Sequence, residues 1–407
     1  MERVDTIVVG GGQAGLATSY FLTRHNREHV VLERGRVGET WRSQRWDGFF
    51  LNTPNSAQRL PGYEYSGDEP DAFLPLAGVI EYLEGYARSF GAPIRERSNV
   101  TSLRRAGDRY AVETDEGTIE ADNVVVTTGA FQQPRPRVPG VEAAPVGLQL
   151  TTSEYRRPEQ LPAGAVLVVG GGQSGCQITD ELLRAGRDVC LAVGRCPWFP
   201  RRYRGRDLVD WAMDIGLLDQ TVDSLPSPEA RLACNPPISG NNGGHDCHPR
   251  WLAGRGALVV GRLEHVAGTK VRFAAGVEET LAAGDQFAAE RMSDIDRYID
   301  ERGIDAPAAE PREGGPSPVV DAPELDLREA GIESILWATG FRPDYSWIDL
   351  EISDEHGWPT QRRGVSPYDG LYFVGVNWLH KRKSALFCGV GEDAEHVVSH
   401  LDERRRV

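Results

Sequence analysis

The sequence concentrates its chemistry in two glycine turns, each set between an apolar strand and a helix. Residues 6–33 read TIVVGGGQAGLATSYFLTRHNREHVVLE, and residues 166–193 read VLVVGGGQSGCQITDELLRAGRDVCLAV. Gly10, Gly12 and Gly15 recur as Gly170, Gly172 and Gly175, a constant offset of 160. Both stretches satisfy G-x-G-x-x-G. In that pattern the first glycine makes a tight turn, the second lets a pyrophosphate approach the backbone, and the third packs helix on strand. The helix N-terminus then faces the phosphates. A repeat this long is one fold unit used twice, not a solenoid. The candidate nucleotide contacts are Gly10, Gly12, Gln13, Ala14 and Gly15 in the first turn. In the second they are Gly170, Gly172, Gln173, Ser174 and Gly175.

The copies differ where two nucleotides would differ. The second strand of the first copy ends in Glu33, followed by Arg34. A carboxylate there accepts hydrogen bonds from an adenosine ribose and repels a 2′-phosphate. The aligned position of the second copy is Val193, with Arg195, Arg201, Arg202 and Arg204 after it. Losing the acid and gaining guanidinium groups suits a 2′-phosphate, although a solvated basic loop would have the same composition. The expected cofactors are FAD at the first turn and NADPH at the second. Two further strands end in Thr-Gly, NVVVTTG at Gly129 and SILWATG at Thr339 and Gly340. GLYFVG closes on Gly375, ahead of a helical stretch, GVGEDAEHVVSHL.

The elements that position these residues follow from composition and punctuation. With 407 residues, two or three domains are expected. Pro and Gly crowd 132–147, and 306–323 is Pro-rich and poor in large apolar residues. The fold class is α/β: two Rossmann-like dinucleotide-binding domains, the NADPH domain inserted into the FAD domain. The boundaries read as 1–150 for the first part of the FAD domain, 151–325 for the NADPH domain and 326–407 for the C-terminal part. Two helical patterns in 275–303 would form a cover over part of the site.

Net charge is -15, from 45 basic and 60 acidic residues, which repels phosphate backbones and argues against nucleic acid as a partner. No apolar run reaches the ~20 residues of a membrane span. The start, MERVDTIVVGGG, lacks a basic n-region and a cleavage site, so the expected location is cytoplasmic. The six cysteines include no C-x-x-C pair, which argues against a dithiol redox enzyme. His245, Asp246, Cys247 and His248 crowd together with Cys234 upstream, but adjacent ligands on one short loop cannot all point inward, and no metal is expected. Lys381, Arg382 and Lys383 read as a solvated face.

The paired glycine motifs, Glu33, the GETWR segment (Gly38 to Arg42), the Thr-Gly strand ends and the LNTP segment (Leu51 to Pro54) resemble the flavin-containing monooxygenases. These are class B members of the two-dinucleotide-binding-domain flavoproteins. The resemblance spans nearly the whole chain. It implies an NADPH-dependent FAD monooxygenase acting on a small molecule at nucleophilic N or S, with O2 as co-substrate. NADPH would reduce FAD, the reduced flavin would add O2 at C4a, and the hydroperoxide would be attacked by substrate. Such a site needs a dry, oriented pocket rather than a strong acid or base. The resemblance places Asn52 near flavin N5 as the catalytic residue, and Trp41, Arg42 and Thr53 beside the flavin; Asn52 also reads as a turn residue before Pro54. Trp46 and Trp378 are further pocket candidates. The family fingerprint F-x-G-x-x-x-H-x-x-x-(Y/F) is met at Gly147 and Tyr155, but Thr151 stands at the His position and the Phe is missing. Open alternatives are a Baeyer–Villiger monooxygenase, an NADPH oxidase, or a pyridine-nucleotide reductase serving a carrier protein. Association as a homodimer also stays open.

Overall fold

The computed structural model describes residues 2–233, 235–310, 319 and 321–405. Each glycine turn sits at the carboxyl ends of the parallel strands of its own sheet. In the first sheet the strand Glu2–Val9 lies between His29–Glu33 and Gly117–Val126, parallel to both. Ile94–Glu96 extends one edge and Leu371–Phe373 adds in parallel to Val124–Val126. The antiparallel strands Arg109–Thr114 and Val100–Ala106 continue from Gly117–Val126. The second sheet is parallel throughout, in the order Leu148–Thr151, Ile332–Trp337, Ala165–Val169, Val189–Ala192, Leu258–Val260. Strands buried on both faces read as unbroken apolar runs, hence IVV and VLVV ahead of the turns. Val8, Leu16, Val168, Ile178 and Val390 belong to one continuous core, so the two units share their packing.

The strand pairing corrects both domain boundaries. Leu148–Thr151 and Ile332–Trp337 are neighbours in the second sheet, so the inserted unit begins before 151 and ends after 325. The chain crosses between units at Gln133–Pro134, paired antiparallel with Phe341–Arg342. The inserted unit thus runs from about 135 to about 340. The Pro-rich linker hid an early crossing, and an apolar strand such as ESILW reads alike whichever sheet it joins. The second loose stretch falls partly outside the described residues.

The two helical patterns at 275–303 form one helix, Val277–Arg302, between the left-handed caps Gly276 and Gly303. Gly284, an apparent break, is a point of close approach: a Cβ there would stand 2.6 Å from the Cys196 carbonyl oxygen. The solvated-face reading of 381–383 is also corrected. Lys381 and Lys383 each reach both Asp219 and Glu392, at 2.6–3.0 Å. Backbone bonds run alongside, Val222 N–H to the His380 carbonyl at 2.7 Å and Arg382 N–H to the Gln220 carbonyl at 2.9 Å. This cluster clamps the inserted unit to the C-terminal segment, and Asp219, 162 residues from Lys381, is too distant in sequence to suggest it. Among the described residues, no helix is long and apolar enough to cross a membrane.

Candidate active site

At the first turn, Gly10 lies at φ 114°, a conformation open to glycine, and its N–H donates to the Leu32 carbonyl at 2.8 Å. A Cβ on Gly15 would overlap the Gly10 carbonyl oxygen, whereas one on Gly12 would meet no atom within 4 Å. That open side is where the pattern brings a pyrophosphate. Glu33 is buried at the strand end; its Oε2 accepts from Gly11 N–H at 2.6 Å and its Oε1 from Gly35 N–H at 2.9 Å. Gln13 donates to the Ala385 carbonyl and accepts from Trp41 Nε1, both at 3.3 Å. Trp41 stacks on Phe387 with centroids 6.1 Å apart. A Cβ on Gly375 would overlap that of Ala14, so the last strand closes directly on this helix. Thr127, ahead of Gly129, donates its hydroxyl to the Val9 carbonyl at 2.8 Å.

The other first-site candidates divide. Arg34 is exposed beside Glu33. Thr53 accepts from Gln58 Nε2 through its hydroxyl at 2.9 Å, which shapes the LNTP turn. Arg42 donates to the Val37 carbonyl at 3.2 Å and pairs with Glu84. It anchors its short helix to the helix Leu76–Ser89. Trp46 is core, packed edge-on to Phe49 at 5.2 Å.

The second turn repeats the backbone geometry of the first. Gly170 has φ 118°, its N–H donates to the Ala192 carbonyl at 2.8 Å, and a Cβ on Gly175 would overlap the Gly170 carbonyl oxygen. Glu33 Cβ lies 3.0 Å from a Cβ built on Gly11; Val193 Cβ lies 3.0 Å from one built on Gly171. Val193 therefore occupies the place of the acid. Ala338, just before Thr339 and Gly340, packs its carbonyl against Gly170 as Thr127 does against Gly10. Gln173 exchanges two hydrogen bonds with the backbone of Ile238, and Ser174 follows it in the first turn of the helix.

The arginine run after Val193 does not act together. Arg195 is exposed at the strand end. Arg202 is exposed and donates to the Gly243 carbonyl at 3.2 Å, while Arg204 pairs with Asp296 at 2.9 Å. Alternation along the hairpin Arg202–Tyr203 and Arg206–Asp207 sends neighbouring side chains to opposite faces. Arg201 is 1% exposed, which removes it from the phosphate-facing set. Its Nη2 lies 2.7 Å from Asp207 Oδ2, its Nη1 donates to the Asn52 carbonyl at 2.6 Å, and it lies 4.2 Å over the Phe73 ring. Burial lowers its pKa against the pull of Asp207. A basic residue missing from the sequence reading lies beside Gly194: Arg262, past the end of the adjacent strand Leu258–Val260, has its Cδ 3.9 Å from a Cβ built on Gly194 and its Nη2 3.7 Å from Glu264. Nothing local marks it, because strand adjacency brings it there.

Asn52 lies where the two units meet. Its Oδ1 accepts from Gln177 Nε2 at 2.8 Å, and its carbonyl accepts from Arg201. Leu51 N–H donates to the Leu74 carbonyl at 2.8 Å, and a Cβ on Gly240 would overlap the Leu51 carbonyl oxygen. Gln177 was legible only as a polar side chain in a buried stretch of the second motif helix; Gly240 carried no signal. Arg45 lies over Trp41 and Phe49, at 5.1 and 5.9 Å, and burial lowers its pKa to about 10. Tyr155 is fully buried and donates to Glu181 Oε2 at 2.7 Å, while the Thr151 hydroxyl donates to Glu154 at 2.8 Å. Trp378 is buried under Arg382, whose guanidinium lies 4.7 Å over its ring.

The residues around 245–248 disperse. His245 reaches Asp180 at 3.1 Å, Asp246 accepts from Arg201 N–H at 2.6 Å, and His248 stacks on Trp198 at 3.9 Å. Cys247 is fully buried, and burial raises its thiol pKa. Among the described residues no three His, Cys, Asp or Glu side chains are placed to hold a metal; Cys234 lies outside them.

Residues 7–207 match the family described as pyridine nucleotide-disulphide oxidoreductase. A CzcO-like oxidoreductase of Geobacillus kaustophilus is 32% identical, over 98% of this chain and 98% of its own. The indole-3-pyruvate monooxygenase YUCCA4 of Oryza sativa is 30% identical over 98% of this chain and 87% of its own. Among solved structures, a flavin-containing monooxygenase from Stenotrophomonas maltophilia superposes with a TM-score of 0.69 at 21% identity, covering 99% of each chain. With paired glycine turns, each on the parallel strands of its own sheet, and relatives that extend over almost its full length, the chain belongs to the flavin-containing monooxygenase family, the class B flavoprotein monooxygenases.

Proposed function

We propose that this protein is an FAD monooxygenase that uses NADPH to place one oxygen atom of O2 on a nucleophilic N or S of a small molecule. The observation that carries the reading is Asn52, a residue of the first unit held where the two units meet by two side chains of the inserted unit, Gln177 and Arg201. The residues fit the two nucleotides. Gly12 leaves the first turn open, and Glu33 sets a carboxylate at the end of the second strand for a ribose. Val193 removes that carboxylate from the second turn, and Arg195 and Arg262 supply cations for a 2′-phosphate.

When bound, FAD supplies the redox chemistry by accepting hydride and activating O2. The chain's own part is to orient and to exclude water. Trp41, Phe49 and Phe387 form an aromatic wall beside the first turn. Asn52 offers amide N–H donors at the junction, with its oxygen already engaged by Gln177. The test is aerobic turnover under labelled O2 with a thioether and a tertiary amine, comparing NADPH with NADH. One labelled oxygen in a sulfoxide or N-oxide supports the reading. Stoichiometric peroxide without labelled product would make the protein an oxidase, a labelled ester from a ketone a Baeyer–Villiger enzyme, and electron delivery to a carrier without O2 uptake a reductase.

A further inference from the structure

We infer that the inserted unit sets the position of Asn52, with Gln177, Arg201 and Gly240 as positioning residues for it. This rests on the reading of Asn52 as the donor beside the flavin. Three contacts from separate parts of the inserted unit converge on two consecutive residues of the other. Gln177, from the second motif helix, donates to Asn52 Oδ1 at 2.8 Å. Arg201, from the loop after the second strand, donates to the Asn52 carbonyl at 2.6 Å. Gly240, next to the strand Ile238–Ser239, lets the backbone press on the Leu51 carbonyl.

The three are built in rather than incidental. Gln177 and Arg201 are 7% and 1% exposed. Arg201 is itself braced by Asp207 and by the face of Phe73. Occupation of Oδ1 fixes the sense of the Asn52 amide, so its two N–H bonds remain as donors. Gln177 begins five residues after Gly172, on the helix whose N-terminus faces the second nucleotide, so the two nucleotide sites share one mechanical element. The other end of the Gln177 amide, Oε1, is buried without a hydrogen-bond partner among the described residues. Replacing Gln177 by Leu therefore removes the contact to Asn52 and that orphaned atom together, which leaves the helix able to pack.

The experiment compares Gln177→Leu, Arg201→Lys, Asn52→Ala and the double variant Gln177→Leu/Asn52→Ala in the flavin-loaded protein. Amide hydrogen exchange of residues 50–53 should quicken about tenfold in Gln177→Leu, the loss of one hydrogen bond, with exchange in strand 6–9 unchanged. Arg201→Lys keeps a charge opposite Asp207 but lacks the planar fork, and should show the same local loosening. Peroxide released per NADPH should rise several-fold in Gln177→Leu, while flavin reduction by NADPH stays within about twofold. The double variant should release no more peroxide than Asn52→Ala alone. Unchanged exchange at 50–53 in Gln177→Leu, or additive peroxide release in the double variant, would overturn the inference. If Asn52→Ala leaves peroxide unchanged while Gln177→Leu still loosens 50–53, the positioning stands and the assignment of Asn52 to oxygen chemistry falls.

Discussion

Asp393, in the first turn of the last helix, is 2% exposed and its Oδ2 has no partner among the described residues. Burial pushes its carboxyl from 3.8 up to about 6; the Ser384 hydroxyl offsets part of that effect, and Glu392 adds repulsion. Ser384 in turn accepts from the amides of His380 and Lys381, so this carboxyl braces the turn that carries the inter-unit clamp. The difference of about 2.2 pH units, at about 1.4 kcal/mol each, amounts to about 3 kcal/mol. The folded state holds the proton more tightly than the unfolded chain, so the contribution of this group to stability is greatest below about pH 4. It declines as pH rises from there to about 6, and the full penalty persists above. Asp393→Asn keeps the shape and cannot ionise. At pH 8 the variant should be more stable than the parent by up to about 3 kcal/mol, a margin that closes near pH 4. Urea unfolding at saturating FAD across that pH range measures it. Parallel stability profiles for the two proteins would refute the assignment of a strained, buried carboxylate to this position.

Gly12→Ala should fold normally, because a Cβ there meets no atom within 4 Å, yet lose FAD; Gly15→Ala should fail to fold, because its Cβ overlaps the Gly10 carbonyl. Flavin absorbance and circular dichroism separate the two outcomes, and full flavin occupancy in Gly12→Ala would displace the first site. Arg195→Ala and Arg262→Ala should each weaken binding of 2′,5′-ADP about tenfold and leave 5′-AMP unaffected, since a charge-assisted hydrogen bond contributes about 1.5–3 kcal/mol. Calorimetry tests this, and equal affinity of the unmodified protein for both ligands would remove the NADPH assignment. Asn52→Ala should preserve the rate of flavin reduction and raise peroxide release several-fold, which a coupled peroxidase assay follows.

The parts of the fold legible in the sequence are those whose determinants are local. A glycine that must turn at φ 114° and another that must touch a carbonyl leave a residue pattern, so both nucleotide turns and the Glu33–Val193 contrast could be read directly. Gly375 was legible because it closes a strand. What escaped depends on contacts between distant segments. Arg201 carries the same letter as Arg195, and only the fold sends one into the Asn52 junction and the other to the surface. Lys381 and Lys383 read as solvated because Asp219 comes from the inserted unit. The domain boundaries were misplaced because an apolar strand does not announce its sheet.

The antiparallel pairing of Gln133–Pro134 with Phe341–Arg342 bears on the ancestry and portability of the inserted unit. A guest sequence whose two ends are hydrogen-bonded neighbours obliges its host to close no long loop, so the host can fold around the gap. The internal resemblance of the two glycine units then has a simple genealogy: a duplicated unit accommodated inside its own copy. The same junction offers a place for chimaeras, in which residues 135–340 are exchanged between relatives as one cassette. Such a graft must bring a match for the surface formed by residues 380–383, because that is where the guest is clamped a second time through Asp219, far from its own ends.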